Sequence, residues 1–173
     1  MIHKILETER LIIRPLVESD YIEAFKWCGD ERVNKYMIYP LYKRAEDVKK
    51  WIGTLDNESE TDFDYGFVLK ETGELIGSGG MYLVNESEKI WSIGYNLRYD
   101  MWRKGLTVEA MREIIAYVRN EKSVRAIEAE FAEENGASGR VMEKLGMEYS
   151  RNTEYTKFDG SATFKAKIYR IDF

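Results

Sequence analysis

Arg98-Tyr-Asp-Met-Trp-Arg-Lys-Gly-Leu-Thr-Val-Glu-Ala-Met-Arg-Glu-Ile-Ile-Ala-Tyr-Val118 joins a short basic, glycine-containing turn directly to an amphipathic helix. After Gly105 the apolar residues Val108, Met111, Ile115 and Val118 recur at three- and four-residue steps, which predicts one buried helical stripe. Unpaired backbone N–H groups at the helix start, the positive end of the helix dipole and the side chains of Arg103 and Lys104 converge on one point, which suits an anion. Gly105 lets the backbone come close to that anion, as at other phosphate-binding helix starts. An ordinary capped helix with solvated basic residues would read the same locally, so the surrounding sequence has to decide.

Two better-known phosphate loops are excluded. A Walker loop places a glycine five residues before Gly-Lys-Ser/Thr, whereas the order here is Lys104-Gly105 and position 100 is Asp. The cluster Gly77-Ser78-Gly79-Gly80 lacks the third glycine of a dinucleotide fingerprint and lies between two strand-like stretches rather than between a strand and a helix.

Outward from the turn, residues 89–97 alternate, with Trp91, Ile93, Tyr95 and Leu97 on one face and Ser92, Gly94 and Asn96 on the other. Residues 63–70 and 74–84 read as two further strands, so the three form an antiparallel meander. A glycine within such a strand marks a bulge or a close backbone approach. After the helix, 126–131 is a strand with Ile127, Ala129 and Phe131 opposite Glu128 and Glu130, and a return of this length fits a parallel neighbour. Asn135 then caps a helix with Ala137, Val141 and Leu145 at four-residue steps, ended by Gly146. Residues 147–158 and 162–172 read as a hairpin around Asp159-Gly160. Towards the N-terminus, 10–16 is a strand ended by Pro15, Ser19 or Asp20 caps a helix to about Gly29, and 45–56 is a second helix. Between them, Tyr36, Met37, Tyr39, Pro40 and Tyr42 follow no clean period and read as a loop. The acidic stretch 56–62 reads as a solvated surface loop.

A chain of 173 residues, 44% hydrophobic and 33% charged, can bury one sizeable core and is expected to form a single domain over 1–173. No apolar run approaches the roughly 20 residues that span a bilayer, and the first residues lack a signal-peptide core, so a soluble, cytoplasmic protein without membrane contact is expected. One cysteine, Cys28, and one histidine, His3, leave no internal disulfide, no zinc-type ligand set and no Ser–His or Cys–His chemistry. The net charge of −5 argues against nucleic-acid binding and mildly favours a cationic or amine substrate.

The order of these motifs resembles the GNAT superfamily of acetyl-coenzyme A-dependent N-acetyltransferases over nearly the whole chain. Trp102-Arg103-Lys104-Gly105-Leu106-Thr107 is similar to the pyrophosphate turn Gln/Arg-x-x-Gly-x-Gly/Ala, with Trp in the first place and Thr in the last. Leu11-Ile12-Ile13-Arg14-Pro15-Leu16 looks like the opening strand and Ile93-Gly94-Tyr95-Asn96-Leu97 like the strand before the turn. Asn135-x-x-Ser138-x-x-Val141-Met142-Glu143-Lys144-Leu145-Gly146-Met147 looks like the last motif. An aromatic residue at position 102 resembles the branch that acetylates ribosomal-protein N-termini. The resemblance implies an α/β fold with a mixed, mostly antiparallel sheet of about seven strands flanked by helices. It also implies a bulge near Gly94 that splays this strand from the next, the opened edge holding the coenzyme.

On this resemblance the pantetheine arm would meet the backbone amides of Tyr95 and Leu97 and the side chain of Asn135, and the pyrophosphate would meet residues 102–107. Loop 30–44 would form one wall of the acceptor groove. Acetyl transfer from a thioester to an amine needs an uncharged nitrogen, a donor for the oxyanion and a proton for the thiolate, and nothing covalent from the protein. In the family a Tyr seven residues after the motif's Asn commonly protonates the thiolate; that place is Met142, and Ser138 is the substitute, as the N-terminal acetylating branch suggests. Ser138 can equally satisfy a local backbone group. The branch often has a Glu two residues before the strand's Gly, where Ser92 stands, so the base is open among Glu86, Glu88, Glu128, Glu130, a water chain or an amine of low pKa. A binding module without turnover, motivated by Met142, Ser92 and Thr107, and a different acyl donor are the competing readings. The expected partners are acetyl-coenzyme A, with no metal, and a protein N-terminal or small-molecule amine; dimers are common in such families.

Overall fold

The computed structural model describes residues 2–173. One sheet of eight strands runs in the order β1-β2-β3-β4-β5-β6-β8-β7. These are β1 (Leu6–Glu7), β2 (Leu11–Arg14), β3 (Asp62–Leu69), β4 (Leu75–Asn85), β5 (Ile90–Leu97), β6 (Ala126–Ala132), β7 (Glu148–Thr156) and β8 (Thr163–Asp172). Every neighbouring pair is antiparallel except β5 and β6, which are parallel. The sequence implies about seven strands; the eighth, β1, is two residues long and too short to carry a period.

The helices are α1 (Tyr21–Cys28), α2 (Glu31–Asn34), α3 (Ala45–Gly53), α4 (Leu106–Glu121) and α5 (Gly136–Lys144). They divide between the two faces of the sheet. On one face α4 and α5 cover Phe67, Ile76, Met81, Trp91, Ile93 and Ile127, which form the larger core. On the other, α1 and α3 enclose Leu16, Trp27, Val48, Ile52 and Leu75 in a smaller core that leaves part of the sheet uncovered. The meander alternates as its sequence requires, so Asp64, Ser78, Gly80, Tyr82, Ser92, Gly94 and Asn96 share the uncovered face. That division matters for function, because one face holds rigid support and the other stays accessible.

Three local expectations are revised. The apolar stripe of α4 is centred on Ala110, Met111, Ile114 and Val118, with Ile115 only half-buried at its edge. In α5 Gly139 and Met142 face the core, whereas Ala137 is exposed. Asp20 stands at the start of α1, but its carboxylate accepts from Arg14 and the Val17 N–H rather than capping that helix.

Candidate active site

Strands β5 and β6 pair only over Ile90–Ser92 and Ala126–Glu128, and then part. β5 continues to Leu97, held on its other side by β4. The Arg98 N–H donates to the Ile76 carbonyl of β4, at 2.8 Å. Backbone groups alternate along a strand, so the N–H groups of Ile93, Tyr95 and Leu97 point away from β4 into the opening. The register against β4 is unbroken at Gly94, which lies opposite Gly80, and the shift falls between Leu83 and Asn85 instead. The parting after Ser92 is thus not accompanied by the expected bulge at Gly94.

The basic turn ends beside this opening. Gly105 adopts φ +75° and Arg103 φ +63°, both left-handed, and α4 begins at Leu106 with no side chain capping it. The first N–H groups of α4 thus stay available to a ligand. Arg103, Lys104 and Gly105 are exposed and Thr107 is half-buried, while the Leu106 side chain is buried, so its contribution to a ligand is confined to the backbone. Trp102 Nε1 donates to the Leu97 carbonyl at 2.8 Å, which pins the turn to the end of β5. Arg10 braces it from the opposite side, donating to the Lys104 carbonyl at 2.9 Å and to Glu109 of α4 at 2.7 Å.

Across the opening, Asn135 occupies the N-cap position of α5, but its side chain does not close onto the helix. One turn later Ser138 meets Tyr95 of β5: Tyr95 Oη lies 2.9 Å from Ser138 Oγ and 3.0 Å from the Ser138 carbonyl, to which it donates. Burial pushes the Tyr95 phenol up to about 12, against the lowering effect of its bond to Ser138. Met142 is in the core.

A groove of about 790 Å³ opens on the uncovered face, over Ser78, Tyr82, Gly94 and Asn96. Tyr36, Met37, Tyr39, Pro40 and Tyr42 line one wall, and of the stretch 30–44 read as a loop, Glu31–Asn34 form the short helix α2. The hairpin of β7 and β8 backs that wall, because Lys157 Nζ donates to the Asn34 and Met37 carbonyls and Phe158 N–H to the Ile38 carbonyl. Asp64 and Glu130 are the two carboxylates of the lining, which contains no lysine, arginine or histidine. Tyr82 Oη donates to Asp64 Oδ1 at 2.8 Å. Burial raises the proton affinity of Asp64 and of Glu130. Asn96 Oδ1 is buried without a hydrogen-bond partner among the described residues.

An open strand edge, free helix N–H groups beside it and a groove on the far face match what the resemblance implies, and the comparison with known proteins agrees. Residues 10–148 match the model of the acetyltransferase (GNAT) domain. The chain belongs to the GNAT family. N-acetyltransferase p20 of Bacillus licheniformis is 30% identical over 146 residues, covering 83% of this chain and 82% of that protein. The crystal structure of a GNAT-family acetyltransferase from Bacillus anthracis has a TM-score of 0.82 at 23% identity, covering 99% of this chain and 98% of that one. RimL, a ribosomal-protein α-N-acetyltransferase solved with coenzyme A, has a TM-score of 0.85 at 15% identity, with 98% of each chain covered.

Within this GNAT acetyltransferase the carboxylates singled out from the sequence now separate. Glu128 is gripped by Arg151 and Arg170, which hold it below the usual carboxylate range. Glu86 and Glu88 sit in the β4–β5 turn, away from the groove, and of the four only Glu130 faces it. Asp64, Tyr82 and the side chain of Tyr95 are additions. Alternation put Tyr95 on a known face, but nothing in the sequence signalled that its hydroxyl would cross to α5. Among the described residues no cluster of histidine, cysteine and carboxylates could hold a metal ion, and no helix is long and apolar enough to cross a membrane.

Proposed function

We propose that the protein transfers the acetyl group of acetyl-coenzyme A to a primary amine, on a protein N-terminus or a small molecule, by direct attack in a ternary complex. One observation carries this reading: the unpaired edge of β5 runs from the α4 start to the groove, so one extended ligand reaches both. The pyrophosphate rests on residues 102–107, with Arg103 and Lys104 supplying charge and the Gly105, Leu106 and Thr107 backbone supplying N–H groups. The pantetheine arm follows the Tyr95 and Leu97 amides and meets Asn135. The thioester then lies between Tyr95 and the groove.

The amine lone pair attacks the thioester carbonyl carbon, the C–S bond breaks and the thiolate leaves. The proton that the nitrogen sheds as the amide forms passes through water to the thiolate, giving the free thiol. Holding the two reactants together is worth about 7–11 kcal/mol in favourable cases. Ser138 donates a hydrogen bond to the departing sulfur and Tyr95 holds Ser138 in place. A phenol pushed up to about 12 holds its proton more tightly than an ordinary thiol, at about 8.5, so the pair stabilises the thiolate rather than supplying its final proton.

The test is calorimetric titration with acetyl-coenzyme A of the unmodified protein, Gly105→Glu and Ser138→Ala, followed by mass spectrometry of amine mixtures. Micromolar binding lost in Gly105→Glu and kept in Ser138→Ala, with acetylated amine formed by the unmodified protein, is the expected result. Binding without transfer to any amine would instead favour a coenzyme-binding module, the reading to which Met142 and Ser92 in place of the usual Tyr and Glu lend weight.

A further inference from the structure

The groove contains a hydroxyl–carboxylate pair contributed by two adjacent strands. Asp64 of β3, Gly80 of β4 and Gly94 of β5 are in register across the uncovered face. Tyr82 leans over this row. A Cβ at Gly80 would lie 2.6 Å from the Tyr82 hydroxyl, so only glycine there lets the phenol reach Asp64. A Cβ at Gly94 would lie 3.7 Å from Tyr82 Cε2, and the carbon bearing the hydroxyl is the next atom of the ring. The Tyr82 ring thus bridges from Asp64 to the space over Gly94, where β5 meets the opening. Asp64 itself is two strand spacings, roughly 10 Å, from that space and cannot reach it alone.

We propose that Tyr82 and Asp64 form the proton acceptor of the transfer reaction and that the acceptor amine enters as a cation. This rests on the acetyl-transfer reading above. An ammonium placed over Gly94 gives one N–H proton to Tyr82 Oη as the Tyr82 proton passes to Asp64 Oδ1. The amine is left neutral with its lone pair, Tyr82 is regenerated, and Asp64 becomes a carboxylic acid that returns the proton to solvent between turnovers. The surroundings support this direction of transfer. Burial and Asp62 on the same face of β3 raise the affinity of Asp64 for the proton, while Tyr82 and His3 oppose them. Burial above all, then Asp64 and, more weakly, Asp62 and Tyr39 of the wall favour the protonated phenol to which Tyr82 returns. The lining offers the arriving cation no basic side chain to repel it.

The experiment compares two acceptors of one shape. 2-Phenylethylamine is cationic at neutral pH and must lose a proton, whereas its isostere O-benzylhydroxylamine is already uncharged. Asp64→Asn and Tyr82→Phe are each expected to lower kcat/KM for 2-phenylethylamine about 100-fold and to change that for O-benzylhydroxylamine less than about 5-fold, the size of effect a general base supplies. Coenzyme A titration of both variants, unchanged from the unmodified protein, shows that they fold. An equal loss for both acceptors, or no loss for either, overturns the relay while leaving the transferase reading intact. If the unmodified protein binds coenzyme A but acetylates neither compound nor any other primary amine, the transferase reading itself falls and the relay with it.

Discussion

The Tyr95 hydroxyl lies 2.9 Å from Ser138 Oγ and 3.0 Å from the Ser138 carbonyl, so a side chain of β5 spans the opening to the first turn of α5. With its own proton given to the carbonyl, Tyr95 is left to accept from Oγ, and Ser138 is held in one rotamer. When Ser138 turns its proton to a thiolate, Tyr95 can swing its own from the carbonyl to Oγ, so the serine keeps its rotamer and loses little entropy. Ser138→Ala is expected to lower kcat by about 10²-fold, the usual cost of one transition-state donor, with little change in the KM for acetyl-coenzyme A. Tyr95→Phe should lose about 1 kcal/mol of stability in denaturant melts and show a smaller fall in kcat. Equal falls in kcat with unchanged stability would mean that Tyr95 acts directly on the coenzyme.

Gly105 and Gly160 share almost the same left-handed backbone, at φ +75° and +73°, but only Gly105 stands in the turn proposed to hold the coenzyme. A Cβ at Gly160 meets nothing within 4 Å, and one at Gly105 meets Arg10 Nη2 at an ordinary 3.6 Å. Alanine at either position should therefore cost about 1–2 kcal/mol of stability through backbone strain alone. Coenzyme affinity measured by calorimetry should fall at least about tenfold for Gly105→Ala and stay unchanged for Gly160→Ala, because only the first displaces N–H groups from an anion. A parallel loss in both would trace the effect to global stability.

What the sequence revealed follows from what is local. The existence of α4, of the strands β3, β4 and β5 and of the Asn135 helix is set within a dozen residues, and the structure contains them all. The buried stripe of α4 is nevertheless recentred on Ala110, Met111, Ile114 and Val118, and α5 turns Gly139 and Met142 rather than Ala137 to the core. The opening beside Tyr95 and Leu97 was legible only because the motifs stand in a familiar order. Asp64 and Tyr82 escaped notice because their meeting depends on the register of β3 against β4 and on the room above Gly80, neither of which any short window encodes. The Gly77–Gly80 cluster, excluded as a nucleotide loop, thus gains part of its account as floor space for Tyr82.

Lys157 illustrates how a distant hairpin supports the groove. Its Nζ donates to the Asn34 carbonyl at 2.9 Å, to Asn34 Oδ1 at 3.1 Å and to the Met37 carbonyl at 2.8 Å, and the residue is buried. Lys157→Met keeps the stem's length but leaves those acceptors without their charged donor, at a cost of about 1.5–3 kcal/mol. Loop 35–42 should become more susceptible to limited proteolysis, and the KM for the acceptor should rise while coenzyme affinity holds. A rise in the KM for acetyl-coenzyme A alone would contradict the assignment of that loop to the acceptor wall.

Glu109 ties the turn proposed for the coenzyme to acidity. It accepts from Thr8 Oγ1 at 2.6 Å, from the Arg10 N–H at 2.9 Å and from Arg10 Nε at 2.7 Å. Desolvation works against its charge, but these donors outweigh it and hold the carboxyl below its ordinary range. A depressed folded pKa means that the stabilisation is complete above the unfolded value of about 4.3 and is lost as pH falls through the folded one. Glu109→Gln should accordingly be less stable than the unmodified protein by about 1–2 kcal/mol at pH 7, and the gap should close below about pH 4. Because Arg10 also holds the Lys104 carbonyl, releasing it should loosen residues 103–105, and coenzyme affinity at pH 7 should weaken in the same variant. Denaturant melts and calorimetric titrations across pH 3–7 measure both effects. A stability gap that stays constant down to pH 3 would show that the glutamate contributes through packing and not through its charge.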